Sequence, residues 1–327
     1  MTTNFKKHKS FRRSYREDYL REFKSESAIT LALNSFKILF KNWKLFLPLL
    51  LISVTLFTVL VGLMSESTYK NFQSALDSTS GAENLGGFAR AGLILVSAVT
   101  TGGFSAFTEV STVFLVLIFI FIWLTTIYFL RRLKKHEHPT LREGLYNSLA
   151  PFVSTLIVLC AVIVDLIPVF ALTIVYSTAL KTNFLSTPFY ALIFLILAAL
   201  LIILSLYLLS RSLIALVAVS APGLYPFVAI STANKLMYSR RIHFLSRVFV
   251  LFLTIALLFA VVLIPTIMLD TGLKAGNENL AGFPLVPIVM MLMTVFSFIY
   301  SATFLYLYYR RLLNYDKKEL KHGKSRS

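Results

Sequence analysis

The apolar positions of this chain fall in six long, nearly unbroken runs, and the charged positions gather between them. The runs cover Leu45–Met64, Val110–Leu130, Phe152–Tyr176, Phe189–Leu209, Val248–Leu269 and Leu285–Leu307. A helix rises about 1.5 Å per residue, so about 20 apolar residues cross a hydrocarbon core about 30 Å thick. Away from water the backbone must satisfy its own hydrogen bonds, which predicts helices for runs of this length. The short alternating segments of a membrane β-barrel are missing from the pattern. The expectation is an all-α polytopic membrane bundle of six transmembrane helices, arranged as three hairpins.

Each hairpin begins with an amphipathic segment, predicted to be an interfacial helix on the cytoplasmic side. In the first, "AITLALNSFKILFKNWKLF" from Ala28, the residues Ile29, Ala32, Leu33, Phe36 and Phe40 share one helical face. In the second, "PTLREGLYNSLAPF", Pro139 suits a first helical turn and Pro151 marks the bend into span 3. The third is "PFVAISTANKLMYSRRIHF", from Pro226. The first and third align without gaps: Ala32 with Ala229, Leu33 with Ile230, Ser35 with Thr232, Leu39 with Leu236, Lys44 with Arg241, and Leu45 with Ile242. "LIP" recurs at Leu166–Pro168 and Leu263–Pro265. Together these predict a threefold internal repeat. The domain plan is a basic tail over 1–26, a membrane domain over 27–313 and a second basic tail over 314–327.

Charge then gives a direction. Of 32 Lys and Arg, 28 fall on one side of the six runs; the other side keeps Lys70, Arg90, Lys181 and Lys274. The positive-inside rule puts both termini in the cytoplasm, as an even number of spans requires. This accounts for the net charge of +17 without nucleic acid, whose recognition needs a basic face on a folded soluble surface. Of the 327 residues 57% are apolar and 14% charged, and the mean hydropathy is +0.76, which argues against a soluble enzyme. In the N-terminal tail Phe11, Tyr15, Tyr19 and Phe23 recur every four residues among Arg12, Arg13, Arg16, Arg21 and Lys24. Two readings stay open for it: a helix lying on an anionic leaflet, or a flexible tail that enforces topology.

One stretch resembles a known family. "APGLYPFVAISTANKLMYSRRIHFLSRVFVLFL" is similar to the pattern of bacterial six-span proteins related to the membrane domain of glycerophosphoryl diester phosphodiesterases. Gly223, Pro226, Ala229, Ile230, Leu236, Arg240 and Arg241 stand where that pattern has its own residues. Ala233, Ser239 and Ile242 depart from its usual Ser, Gly and Trp. The resemblance implies a helical membrane module in a prokaryotic plasma membrane. It also implies that catalysis, where the family has it, sits in a separate soluble domain for which this chain has no room.

No enzyme constellation is present in the sequence. There is no GxxxxGK[ST] phosphate cradle and no HExxH pair. His136-Glu137-His138 lacks a third metal ligand and reads as a solvated charge cluster; Cys160, mid-span, reads as packing. No cofactor is expected.

Asp165, in "VIVDLIPVF", breaks the bilayer rule, since an ionised Asp at the centre of a span costs about 2.5–3.5 kcal/mol. Pro168 deprives the Val164 carbonyl of its helical donor and makes the same spot more polar. No basic residue is expected at matching depth in another span. Asp165 and Pro168 form a candidate intramembrane polar site; the competing reading is a kink that binds water. Arg211, Arg240, Arg241 and Arg247 are candidate lipid-phosphate contacts. The apolar run "SLIALVAV" beyond Arg211 means that span 4 extends past the membrane or that Arg211 snorkels to phosphate. Tyr300, Tyr306, Tyr308 and Tyr309 read as the aromatic belt of the last span.

Thr101, Gly102 and Gly103 lie in an apolar segment before span 2, which reads as re-entrant, as interfacial or as part of that span. "TTGGF" resembles the pore loop of potassium-uptake channels, which carry four such loops against one here. Two functions follow. The first is a non-enzymatic module that organises anionic membrane lipids or partner proteins, a second copy of itself included, at the inner leaflet. The second is a small ion or solute transporter or channel using Asp165 and the Gly102-Gly103 break.

Overall fold

The computed structural model describes residues 27–61, 109–182, 187–221, 223–237, 240–276 and 285–324. The tail over 1–26 and the Thr101-Gly102-Gly103 segment lie outside the described residues. Among those described there are helices and no strands: α1 (Ala28–Lys41), α2 (Trp43–Val61), α3 (Glu109–Lys134), α4 (Leu141–Asn147), α5 (Phe152–Lys181), α6 (Pro188–Val219), α7 (Pro226–Met237), α8 (Arg241–Gly276) and α9 (Leu285–Lys324). Six of them, α2, α3, α5, α6, α8 and α9, are long and apolar enough to cross a membrane, so the chain is a multi-pass membrane protein.

The hairpins α2–α3, α5–α6 and α8–α9 contribute unequally to the core. Their second helices, α3 and α9, and the last two turns of α6 form its centre. Ile122, Trp123, Leu124, Ile127, Phe129 and Leu130 of α3 are buried there. So is every residue of α6 from Ile214 to Val219, together with Val295, Ile299, Tyr300, Phe304 and Tyr308 of α9. Helices α5 and α8 and the membrane-spanning part of α6 lie at the periphery, with few of their side chains buried. A helix that is apolar all round and exposed on most faces is suited to hydrocarbon as its solvent.

The three short helices lie at the basic end of the bundle, and each packs against the hairpin before its own. Helix α4, which leads into α5–α6, lies against α3 and α2. Helix α7, which leads into α8–α9, lies against α6 and α5. Helix α1, which leads into α2–α3, lies against α9 and α8 and so closes the circle. The repeat read from sequence therefore has a spatial counterpart, a pseudo-threefold arrangement in which the leading helix of each unit is seated on its neighbour.

Several expectations change. The stripe Ile29–Leu33–Phe40 faces away from the bundle, and α1 seats itself through Leu31, Ala32, Ser35 and Leu39 instead. Only Phe36 spans both faces, its ring 4.4 Å from that of Tyr300. Helix α4 starts two residues beyond Pro139: Thr140 caps it, accepting from the Glu143 N–H, while the Glu143 carboxylate accepts from the Thr140 N–H. Helix α9 runs on to Lys324, so the tail from Asp316 continues the helix of the last span. Tyr300, Tyr306 and Tyr308 are buried in the core rather than set in a belt; Phe36 of α1 packs on Tyr300, and Phe244 of α8 on Tyr308. Cys160 is exposed on α5 and packs no core, since α5 turns that face outward.

Candidate functional site

Helix α6 positions the site. Its carboxyl end is buried, and a helix ends on carbonyls with no helical donors of their own. Three side chains supply donors. Trp123 Nε1 of α3 donates to the Leu216 carbonyl at 3.4 Å, Ser220 Oγ donates to the Val217 carbonyl at 2.6 Å, and Arg131 Nη1 of α3 donates to the Ser220 carbonyl at 2.9 Å. The Arg131 cation also opposes the negative end of the α6 dipole. Ser220 is thereby level with Arg131, the first cation after span 2. Arg211 is nine residues earlier on α6, about 13 Å deeper into the bundle at the helical rise.

At that depth Arg211 meets Asp165. Arg211 Nη2 donates to Asp165 Oδ1 at 3.2 Å. Ser212 Oγ donates to Asp165 Oδ2. Ser205 Oγ, two turns along the same face of α6, donates to the Asp165 backbone carbonyl at 2.7 Å. That carbonyl lies three residues before Pro168, in the turn that the missing proline N–H weakens. Asp165 is 2% exposed and fully engaged. The expectation that no base lies level with it is thus overturned. Span 4 reaches Val219 instead of stopping at Leu209, which lifts Arg211 from the end of the span into its inner half.

A second guanidinium sits one turn away. Arg241, at the start of α8, stacks on the Tyr207 ring with its Cζ 3.8 Å from the centroid. Its Nη1 reaches the Tyr207 carbonyl at 3.5 Å, and its Nη2 donates to Asn234 Oδ1 of α7 at 2.7 Å. Tyr207 and Arg211 are i and i+4 on one face of α6, so the two cations flank the half-exposed tyrosine. Arg247, further along α8, donates to the His243 carbonyl at 2.6 Å and lies over the Tyr308 ring. Nε of Arg211, Arg241 and Arg247 each lacks an acceptor among the described residues. Among the described residues, Arg211, Arg241 and Arg247 thus stand in the inner half of the bundle, and Asp165 is the carboxylate that pairs with one of them. Arg240 precedes α8, its carbonyl accepting from the Phe244 N–H at 3.0 Å.

Asp165, Pro168, Arg211 and Arg241 are brought together; Arg247 stands on the α9 side of α8. Sequence reasoning missed Ser205, Ser212, Tyr207 and Asn234. The signal for the serines is their spacing of seven in an otherwise leucine-rich span, with Asp165 opposite. Nothing among the described residues gathers three metal-ligating side chains. A cleft of about 250 Å³ opens at the basic end between Pro151, Ser154, Gly223 and Tyr225, and it does not include Asp165. No protein-family model, curated protein or solved structure matches this chain significantly.

Proposed function

We propose that this chain is a non-enzymatic membrane module that gathers anionic lipid at the inner leaflet of a prokaryotic plasma membrane, with both termini in the cytoplasm. The observation that carries the reading is the outward stripe on the three short helices. Ile29, Leu33, Phe40 and Trp43 extend from α1 and its junction with α2, Tyr146 from α4, and Tyr225, Phe227 and Ile242 from α7 and its flanks, all exposed. Lys37, Lys41, Arg142 and Lys235 lie among them. Apolar side chains of this size, ringed by cations on helices parallel to a surface, are the composition of an interfacial anchor. Each such cation near an anionic leaflet contributes about 1 kcal/mol. The family resemblance, a membrane module without catalysis of its own, agrees with this reading.

The test uses the full chain in vesicles of phosphatidylcholine with a minor share of fluorescent phosphatidylglycerol. The wild type enriches the labelled lipid around itself, read by energy transfer from its tryptophans. The triple variant Ile29→Gln, Leu33→Gln, Phe40→Gln loses that enrichment. Equal transfer with labelled phosphatidylcholine would reject the reading. The second reading, a small transporter, is supported by the buried Asp165–Arg211 pair beside a proline kink. It requires proton or solute flux in the same vesicles that Asp165→Asn abolishes.

A further inference from the structure

We infer that Arg211 and Arg241, on either side of Tyr207, form a discrete site for the phosphate of one acidic phospholipid. The inference rests on the inner-leaflet reading and gives it an address.

The first argument is charge. Arg211 and Arg241 carry two positive charges, and Asp165 is the one acid among the described residues that meets them. Its two oxygens are taken by Arg211 and Ser212. One positive charge, that of Arg241, is left over at the inner end of the apolar spans, where a charge taken out of water persists only beside a counter-charge. The neighbours on α6, Ile203, Leu204 and Leu206, are exposed apolar side chains of the kind that face lipid tails. The anion that reaches such a place from the surrounding medium is a lipid headgroup.

The second argument is geometry. Arg211 is 35% exposed while its carboxylate partner is 3% exposed, so the pair presents its cationic side outward. Arg241 lies over the face of the Tyr207 ring and donates to Asn234 Oδ1, which holds the guanidinium beside Arg211's turn of α6. Nε of both guanidinium groups has no acceptor among the described residues. Both Nε atoms are enclosed by protein, so they become donors to a phosphate only as the guanidinium groups turn outward. A long arginine stem lets each head bend toward the interface as it binds.

The test is native mass spectrometry of the full chain released from nanodiscs of mixed phosphatidylglycerol and phosphatidylcholine. The wild type retains phosphatidylglycerol in preference to phosphatidylcholine. Arg241→Gln lowers that retention about tenfold, the effect of one charged contact. Asp165→Asn raises it, because the Arg211 charge is then released to the ligand; a merely structural role predicts loss in both variants. Should Arg241→Gln fail to fold, the Asp165→Asn result alone decides, a rise supporting the site and no change overturning it.

If the wild type retains neither lipid over the other, the inner-leaflet reading itself has failed. If it retains phosphatidylglycerol and Arg241→Gln retains as much, the site is wrong and the reading stands. Displacement of the retained lipid by excess inorganic phosphate would assign the site to a soluble anion and overturn the lipid proposal.

Discussion

A hydroxyl in a lipid-facing helix has no water to bond, and this chain answers by local back-bonding. Thr58, Thr178, Thr254, Thr266, Thr294 and Ser301 each donate to the carbonyl four residues earlier. Ser205 and Ser212 instead reach across to α5 and hold Asp165. Replacing Ser212 by Ala leaves one carboxylate oxygen short of a donor. A loss of about 1–3 kcal/mol is expected in thermal unfolding of the detergent-solubilised protein. Ser210, two residues away, serves as the comparison, because its hydroxyl donates only to the Tyr207 carbonyl of its own helix. Asp165 was legible in the sequence as an oddity. Its partner was not, because the hydropathy of α6 falls at Arg211 and recovers at once, and hydropathy alone cannot tell the end of a span from a charge within it.

At the scale of an element, the turn after α3 follows a known stop. His136 adopts φ 62°, the Glu137 N–H donates to the Arg132 carbonyl at 3.1 Å, and the His136 N–H donates to the Leu133 carbonyl at 3.2 Å. This is the Schellman arrangement, which usually places glycine at the left-handed position. His136→Gly should raise stability by about 1 kcal/mol, read as a higher midpoint in the same unfolding assay. The Arg132 guanidinium beside Glu137 holds that carboxyl below its ordinary range. The pair therefore supports the turn fully above the ordinary carboxylate value, and the support is lost as pH falls through the depressed one. Protection factors of the amides over 133–138, corrected for the intrinsic pH dependence of exchange, should fall on acidification in the wild type and stay constant in Glu137→Gln.

The next element, α4, lies so close to α3 that a methyl group on Gly144 would enter the ring of Phe129, itself fully buried against Phe46. Gly144→Ala should cost about 1–3 kcal/mol and loosen α4. Proteolysis within Leu141–Asn147 checks it. That the three short helices exist was legible from periodicity. Which stripe of α1 faces the bundle was not, because Leu31–Leu39 and Ile29–Phe40 are both apolar and only the partner surface chooses between them.

For the whole molecule, the pattern of apolar runs specified six spans and an all-α bundle, because nothing but a helix satisfies a backbone in hydrocarbon. The unequal depth of the hairpins was hidden. Helix α3 is as apolar as α5 and far more buried, so burial among the spans follows from packing rather than from hydropathy. Direction across the membrane is a further consequence of the charge asymmetry. Reporters at Lys181 and at the C-terminus should label from opposite compartments, with the C-terminus protected in intact cells.

The seating of α1 on the last hairpin bears on how the chain is made. Emerging from the ribosome before α8 and α9, Ala28–Lys41 finds no seat until both have been inserted, so the nascent bundle holds an open ring until then. The same circle predicts that a permuted gene beginning at Trp43, with Ala28–Lys41 rejoined by a linker after α9, yields a protein with every helix in its native seat.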